Sequence, residues 1–188
     1  MTPTRCPWAT TDDLIRYHDE EWGRPVHGDR ALFERLTLEA FQSGLSWLTI
    51  LRRRDGFRAA FREFDIDTVA AFSAADRERL MADAGIIRNA RKVDAAIGNA
   101  RVLAAWRVAE GDGVLDRLIW SGFEDAPRPR TMSDVRSTSP QSQAIARELK
   151  SRGFTFVGPT TVHAMLQACG VVDEHLADCW VPMRSARG

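Results

Sequence analysis

The chain has 188 residues, 44% of them hydrophobic and 28% charged, with 26 basic side chains balancing 26 acidic ones. That is globular material with enough length for one well-buried core or two small helical lobes; disorder is excluded, and no apolar run reaches a membrane span. Zero net charge gives no whole-molecule attraction to nucleic acid, and three cysteines without an N-terminal export core predict reduced thiols in the cytoplasm rather than disulfides.

In chain order, the hydrophobic period is helical throughout. Tyr17 and His18 fall in a short predicted helix within R-Y-H-D-E-E-W-G. Asp29 has the character of an N-cap for a helix that carries Leu32, Phe33, Leu36, Ala40 and Phe41 and stops at Gly44. Ser73 and Asp76 have capping-box spacing ahead of Leu80 and Met81, with Gly85 beyond. Val93, Ala96, Ile97, Ala100, Leu103 and Trp106 mark a long amphipathic helix over 88–109, closed by Gly111-Asp112-Gly113. The stretch 122–140, rich in proline, serine and threonine, reads as a loop able to separate two lobes. Two more helices follow over 141–150 and 160–169, and only 154–157 leans toward β. The expectation is an all-α fold, one domain over 1–188, with two helical lobes allowed about that loop.

Cys6 and His18 near one end, and His175 and Cys179 near the other, have the residue types of one closed zinc site. On a helix, the H-x3-C spacing would set His175 and Cys179 one turn apart on one face. Four Cys and His ligands complete a structural site with no open position, so zinc would staple the ends and the chemistry must lie elsewhere. Spacing alone leaves open the plainer reading of two buried cysteines and two ordinary histidines. Cys169, beside Met165, Leu166 and Gly170, reads as a small core residue.

Three basic clusters stand beside glycine-containing turns: Arg52 to Arg54; Arg88, Arg91 and Lys92; Lys150 and Arg152. Taken singly, such clusters are ordinarily solvated faces. The third opens L-K-S-R-G-F-T-F-V-G-P-T-T, a basic helix end, a tight turn bounded by Gly153 and Gly158, and a new helix start. A hairpin of that shape presents free backbone N–H groups and a positive dipole end to a phosphate, although glycine-bounded turns are common without any such role.

In L-T-L-E-A-F-Q-S-G-L-S-W, Glu39 lies in a run built for burial. A carboxylate there is costly unless paired, and an ion pair with Arg35 or solvation at the helix edge is the plain reading. Trp8, Tyr17, Trp22 and Trp47 all fall in the first third, and Tyr17 is the only tyrosine. A carboxylate walled by these rings suits a flat, polar, cationic ligand.

Together, C-x-W, Y-H-D-x-E-W-G, L-E-x-x-Q-x-G-L-S-W, A-G-I-I-R-N, K-x-R-G-F-x-F-V-G-x-T and Q-A-C-G-x-V-x-x-H-x-x-x-C resemble the type I 3-methyladenine DNA glycosylases from Cys6 to Cys179. The resemblance implies a helix-hairpin-helix glycosylase fold with one structural zinc on Cys6, His18, His175 and Cys179. It further implies that Glu39 reads the adenine edge and that Tyr17, Trp47, Trp22 and Trp8 form or support a base pocket. The implied substrate is double-stranded DNA containing alkylated purines, the product is free 3-methyladenine, and the protein works as a monomer. Leu14 stands where relatives often carry a second pocket tyrosine, which alters one pocket wall. Asp173 lies where other hairpin glycosylases use an aspartate, and here it reads as part of the zinc-bearing segment.

A 3-methyladenine nucleotide is already cationic, so its base leaves as a neutral purine without a strong acid. The protein must then supply extrusion, which costs a few kcal/mol, offset by stacking of roughly 1–3 kcal/mol per base. Leu45 is placed to wedge into the vacated stack, and Lys150, Arg152, Gly153 and Gly158 to hold phosphates. Lys92 and Lys150 are the only lysines, both in clusters expected to face phosphate, which predicts a monofunctional enzyme that leaves an abasic site. A non-catalytic zinc-stapled DNA-binding module would use the same hairpin but has no need of a ringed carboxylate. A metal-dependent hydrolase would need an open zinc position.

Overall fold

A computed structural model describes residues 3–123 and 125–182; position 124, within the expected 122–140 loop, and both ends of the 1–188 chain lie outside the described residues. The regular elements are α1 (Asp12–Glu20), α2 (Asp29–Gln42), α3 (Trp47–Leu51), α4 (Arg54–Ala60), a 3-10 turn (Arg62–Phe64), α5 (Ile66–Ala70), α6 (Ala74–Ala82), α7 (Ala90–Glu110), α8 (Val114–Trp120), α9 (Pro140–Ser151) and α10 (Pro159–Ala168). The described residues are thus all-α, and 154–157 forms a turn instead of a strand. Among the described residues, no helix is long and apolar enough to cross a membrane.

α2 is the central helix. It buries nine of its 14 residues, so it is enclosed on most sides rather than along one stripe. It packs on α10, α8, α7 and α3. Leu36, Phe41, Val93, Leu103 and Leu166 belong to the one large core. Its N-terminus corrects the sequence reading: Gly28 is the N-cap, and Asp29 sits in the first turn. The Asp29 carboxylate accepts instead from the backbone N–H groups of Gly113, Leu115 and Asp116 at 2.8, 2.9 and 3.1 Å. It caps α8, a helix whose own cap, Gly113, has no side chain to offer. By contrast, the capping box of Ser73 and Asp76 forms, and Gly111 closes α7 at φ +86°.

The hairpin is α9, a turn, and α10. Gly153 takes φ +102° and Phe156 φ +57°, values that ordinary side chains resist. Asn99 on α7 holds this turn from below: its Nδ2 donates to Thr155 O at 3.0 Å and its Oδ1 accepts from Thr155 N at 2.8 Å.

Residues 125–139 are irregular as expected, but they are strapped to the C-terminal segment. Arg128 donates to Asp173 at 2.8 Å, to Val181 O at 2.7 Å and to Pro182 O at 3.1 Å, and Pro129 O accepts from Ala177 N at 2.8 Å. The end of α10 meets the exit of α1 backbone to backbone: a Cβ on Gly170, at φ +73°, would lie 2.6 Å from Gly23 O. That contact carries His175 to α1. A further correction follows, because α10 ends at Ala168 and the H-x3-C segment is built of turns, not helix.

Candidate active site and metal cluster

A cavity of about 330 Å³ opens between α1, α2, α3 and α10. Leu14 and Tyr17, one turn apart on α1, form one wall, and Glu39 and Gln42, one turn apart on α2, form the floor. Trp8, Trp22 and Trp47 complete the aromatic part. Tyr17 and Trp47 lie with ring centroids 5.2 Å apart, tilted by 44°, and Trp8 meets Trp22 edge-on at 5.1 Å. Trp47 begins α3 because Ser46 caps that helix, the Ser46 side chain accepting from Thr49 N. Burial pushes the Tyr17 phenol far above its ordinary range, so it stays a neutral hydroxyl.

Glu39 is 6% exposed and, among the described residues, has no hydrogen bond or ion pair. Burial pushes its carboxyl up to about 8, outweighing the opposing pull of Arg35. The plain reading of a Glu39–Arg35 ion pair does not hold. Arg35 meets Glu21 at 3.5 Å, and Glu21 also takes Arg54 through two bonds of 2.5 and 2.9 Å. A buried carboxylate lining a cavity, with Arg35 reaching Glu21 through Nη2 and its buried Nη1 left without a partner, is a group awaiting a ligand donor.

A second carboxylate in the cavity wall, Glu174, was not singled out from the sequence. Burial raises its carboxyl, but the His163 ring 3.4 Å away and hydrogen bonds from Arg136 and Gln167 hold it below the usual range. Its only signal in the sequence was its place beside His175. Gln42 was more legible, standing one turn after Glu39 on the same face.

Behind the aromatic wall, the ligand atoms of Cys6, His18 and Cys179 lie within 4.8 Å of one another, all buried. Asp19 holds His18 Nδ1 at 2.8 Å, which leaves Nε2 facing Cys179 Sγ at 3.5 Å. Carboxylates in that position orient metal-bound histidines. This Cys-His-Cys group could hold a metal ion. His175 stands beside the group rather than within it, its ring edge-on to His18 at 5.1 Å. Asp173 takes its Nδ1 at 3.0 Å, while its Nε2 is buried without a partner. An orphaned ring nitrogen next to two thiols and an imidazole fits a fourth ligand. Cys169 stands apart from this group, in the main core.

A family model described as methyladenine glycosylase matches residues 8–182. The chain belongs to that family. It is 42% identical over 179 residues, 93% of this chain and 95% of the other, to DNA-3-methyladenine glycosylase 1 of Escherichia coli (strain K12). A crystal structure of a 3-methyladenine DNA glycosylase I superposes with TM-score 0.88 at 40% identity, covering 94% of this chain and 98% of that one. A variant of such an enzyme, in complex with 3-methyladenine, also gives 0.88, at 32% identity over 96% of this chain and 99% of that one.

In this methyladenine glycosylase the basic clusters are less uniform than the sequence suggested. Lys150 is exposed and unpaired among the described residues. Arg152 is not a free cation: it lies 3.8 Å over the Trp106 ring and binds Glu148 at 2.7 Å and Glu110 at 3.0 Å. Two carboxylates and a ring face occupy it, which corrects its reading as a free phosphate contact. Gly158 is the N-cap of α10 with no side-chain cap and nothing within 4 Å of a Cβ, so the space above it is open to an incoming backbone. Lys92, expected at the surface, is buried, and burial lowers its pKa. Leu45 is 41% exposed, directly after Gly44 at φ +81°.

Proposed function

We infer that this protein excises 3-methyladenine from alkylated double-stranded DNA, acting as a monomer in the cytoplasm and leaving an abasic site. The observation that carries the reading is the buried, partnerless carboxylate of Glu39 in a cavity walled by Trp8, Tyr17, Trp22 and Trp47. The Escherichia coli and Haemophilus influenzae relatives are named for this base, and a variant of a similar enzyme is complexed with 3-methyladenine.

The extruded base stacks between the rings, with Leu14 flattening one wall. Glu39 accepts from its exocyclic amino group, and the positive charge on the methylated purine favours the ionised carboxylate. A base with a carbonyl at that edge would set acceptor against acceptor. Once the glycosidic bond breaks, its electrons return to the cationic ring, the purine leaves neutral, and water adds to the sugar carbon while losing a proton. No lysine lies in the pocket wall to form a Schiff base, which supports a monofunctional outcome. Lys150 and the Gly153 to Gly158 turn, with the open N-terminus of α10, would hold phosphates, and Leu45 would fill the vacated stack.

Zinc on Cys6, His18, His175 and Cys179 would join the loop before α1 to the segment after α10 and leave no open coordination position. Its contribution would be to hold Trp8, Trp22 and α1 in register behind the pocket. Incubation with duplex DNA methylated by a simple alkylating agent, followed by chromatography of the released bases, tests the function. Free 3-methyladenine with the strand uncut is expected. Intact DNA, bound but not depurinated, would make this a non-catalytic DNA-binding protein.

A further inference from the structure

The turn that carries Leu45 leaves α2 in an unusual way. Helix C-termini need partners for their last carbonyls, and a cation in the last turn favours them through the dipole. α2 has no basic residue in its last turn. Its C-cap, Ser43, turns away at φ −48°, ψ 115°, and Gly44 follows at φ +81°. The missing cation comes from 51 residues downstream: Lys92, in the first turn of α7, donates its Nζ to Phe41 O at 2.9 Å and to Ser43 O at 2.6 Å. It is 8% exposed. A buried ammonium that spends its hydrogen bonds on two carbonyls of another helix fixes where that helix ends.

Everything on this stretch of α2 and beyond is functional in the reading above. Glu39 precedes Phe41 by two residues, Leu45 follows Ser43 by two, and Trp47 follows in α3. The anchors differ, however. Glu39 is held by the packed body of α2, and Trp47 by the Ser46 cap and its contact with Tyr17. Residues 43–45 are exposed, and their one backbone bond is Leu45 N to Gln42 O at 2.6 Å. Lys92 is therefore their principal tie to the core.

We propose that Lys92 is a positioning residue for base extrusion: by clamping Phe41 O and Ser43 O it aims Leu45 at the DNA stack, while contributing little to the pocket itself. The inference rests on the glycosylase reading and assigns a task within it.

The experiment compares wild type, Lys92→Met, Lys92→Arg, Leu45→Ala and the Lys92→Met/Leu45→Ala double variant in two assays. One is single-turnover release of 3-methyladenine from methylated duplex DNA; the other is binding of free 3-methyladenine followed by tryptophan fluorescence. Lys92→Met is expected to slow duplex excision about tenfold or more while changing free-base affinity less than about twofold, and Lys92→Arg, which keeps the donors, to recover most of the rate. Adding Leu45→Ala to Lys92→Met should cost little further, because both changes remove one device. Should Lys92→Met not fold, Lys92→Leu, which also lacks donors, carries the same comparison. Wild-type excision in a folded Lys92→Met, a parallel loss of both properties, or full additivity with Leu45→Ala would overturn the proposal. Absence of release by the wild type would instead refute the glycosylase reading itself.

Discussion

Arg35 lies one helical turn before Glu39 on α2, yet its guanidinium meets Glu21 at 3.5 Å and leaves Glu39 without a partner. The i, i+4 spacing would have allowed an ion pair on the helix surface. Glu21 draws the arginine away, and the cost of an unpaired buried carboxylate stays in the free protein, to be relieved by a ligand that donates hydrogen bonds or carries positive charge.

That cost has a pH signature. The Glu39 carboxyl sits at about 8 in the folded protein and near the ordinary glutamate value of about 4.3 when unfolded. A raised folded pKa means that the associated stability is fully present below about pH 4 and is lost as pH rises to about 8. Glu39→Gln should therefore be more stable than wild type by a margin that grows from about pH 5 to 8, reaching on the order of 3–5 kcal/mol before levelling off. Denaturant melts at pH 5, 7 and 9 check this; a margin that shrinks with pH contradicts it. The same group should give wild-type kcat/KM a limb that rises with pH toward 8, absent in Glu39→Gln.

The buried Cys-His-Cys group predicts one zinc per chain in protein purified without chelator, read by elemental analysis. Structural zinc in peptide sites is worth roughly 10–16 kcal/mol of apparent binding free energy, so Cys179→Ala should destabilise the whole fold. His175→Ala should also loosen the metal. Asp173→Asn, which removes the carboxylate behind His175, should weaken retention about 10–100-fold. Full zinc retention by His175→Ala would leave that residue outside the ligand set.

At the hairpin, Lys150→Ala should weaken binding to any duplex and reduce the salt slope by about one. Arg152→Ala should chiefly lower stability, since its charge is already taken by Glu110 and Glu148. A bulky residue at Gly158 meets nothing within the protein, so Gly158→Val should fold and bind DNA less tightly. Fluorescence anisotropy over a salt series separates the three. Unchanged affinity and slope in both Lys150→Ala and Gly158→Val would make the hairpin purely structural.

In the pocket, Trp47→Ala removes the ring that faces Tyr17 at 5.2 Å and should lower excision by roughly 1–3 kcal/mol of lost stacking. Leu14→Tyr enlarges the aromatic wall at a position already lining the cavity and should be neutral or tighten free-base binding. A large loss on Leu14→Tyr would show that the leucine sets the pocket's width.

The long elements were legible because periodicity over ten or more residues leaves no rival: α2, α7, α9 and α10 fall where the apolar spacing put them. The helices α3, α4, α5 and α8 escaped because five to seven residues barely complete a 3.6-residue period. Asp29 and Lys92 were misread for one shared reason. Each caps a helix far away in sequence, α8 and α2 respectively, and a local pattern cannot name a partner 50 to 90 residues distant. The same limit hid the strap of 125–139 over the C-terminal segment and the Glu174 network in the pocket wall. The candidate site itself was legible at Tyr17, Glu39 and Trp47 because a carboxylate in an apolar run and clustered rings are visible one residue at a time.

The central claim is that Glu39 is the group that reads the base. A carbonyl edge facing the ionised Glu39 would leave a buried acceptor without a donor, at about 1–3 kcal/mol, enough for one to two decades of discrimination. The deciding measurement is release of 3-methyladenine and 7-methylguanine, side by side from the same methylated duplex, by wild type, Glu39→Gln and Glu39→Ala. The expected result is that wild type favours 3-methyladenine by about ten- to a hundredfold, that Glu39→Gln keeps part of that preference because its amide oxygen still accepts, and that Glu39→Ala loses most of it. Unchanged excision and selectivity in Glu39→Ala would contradict the account.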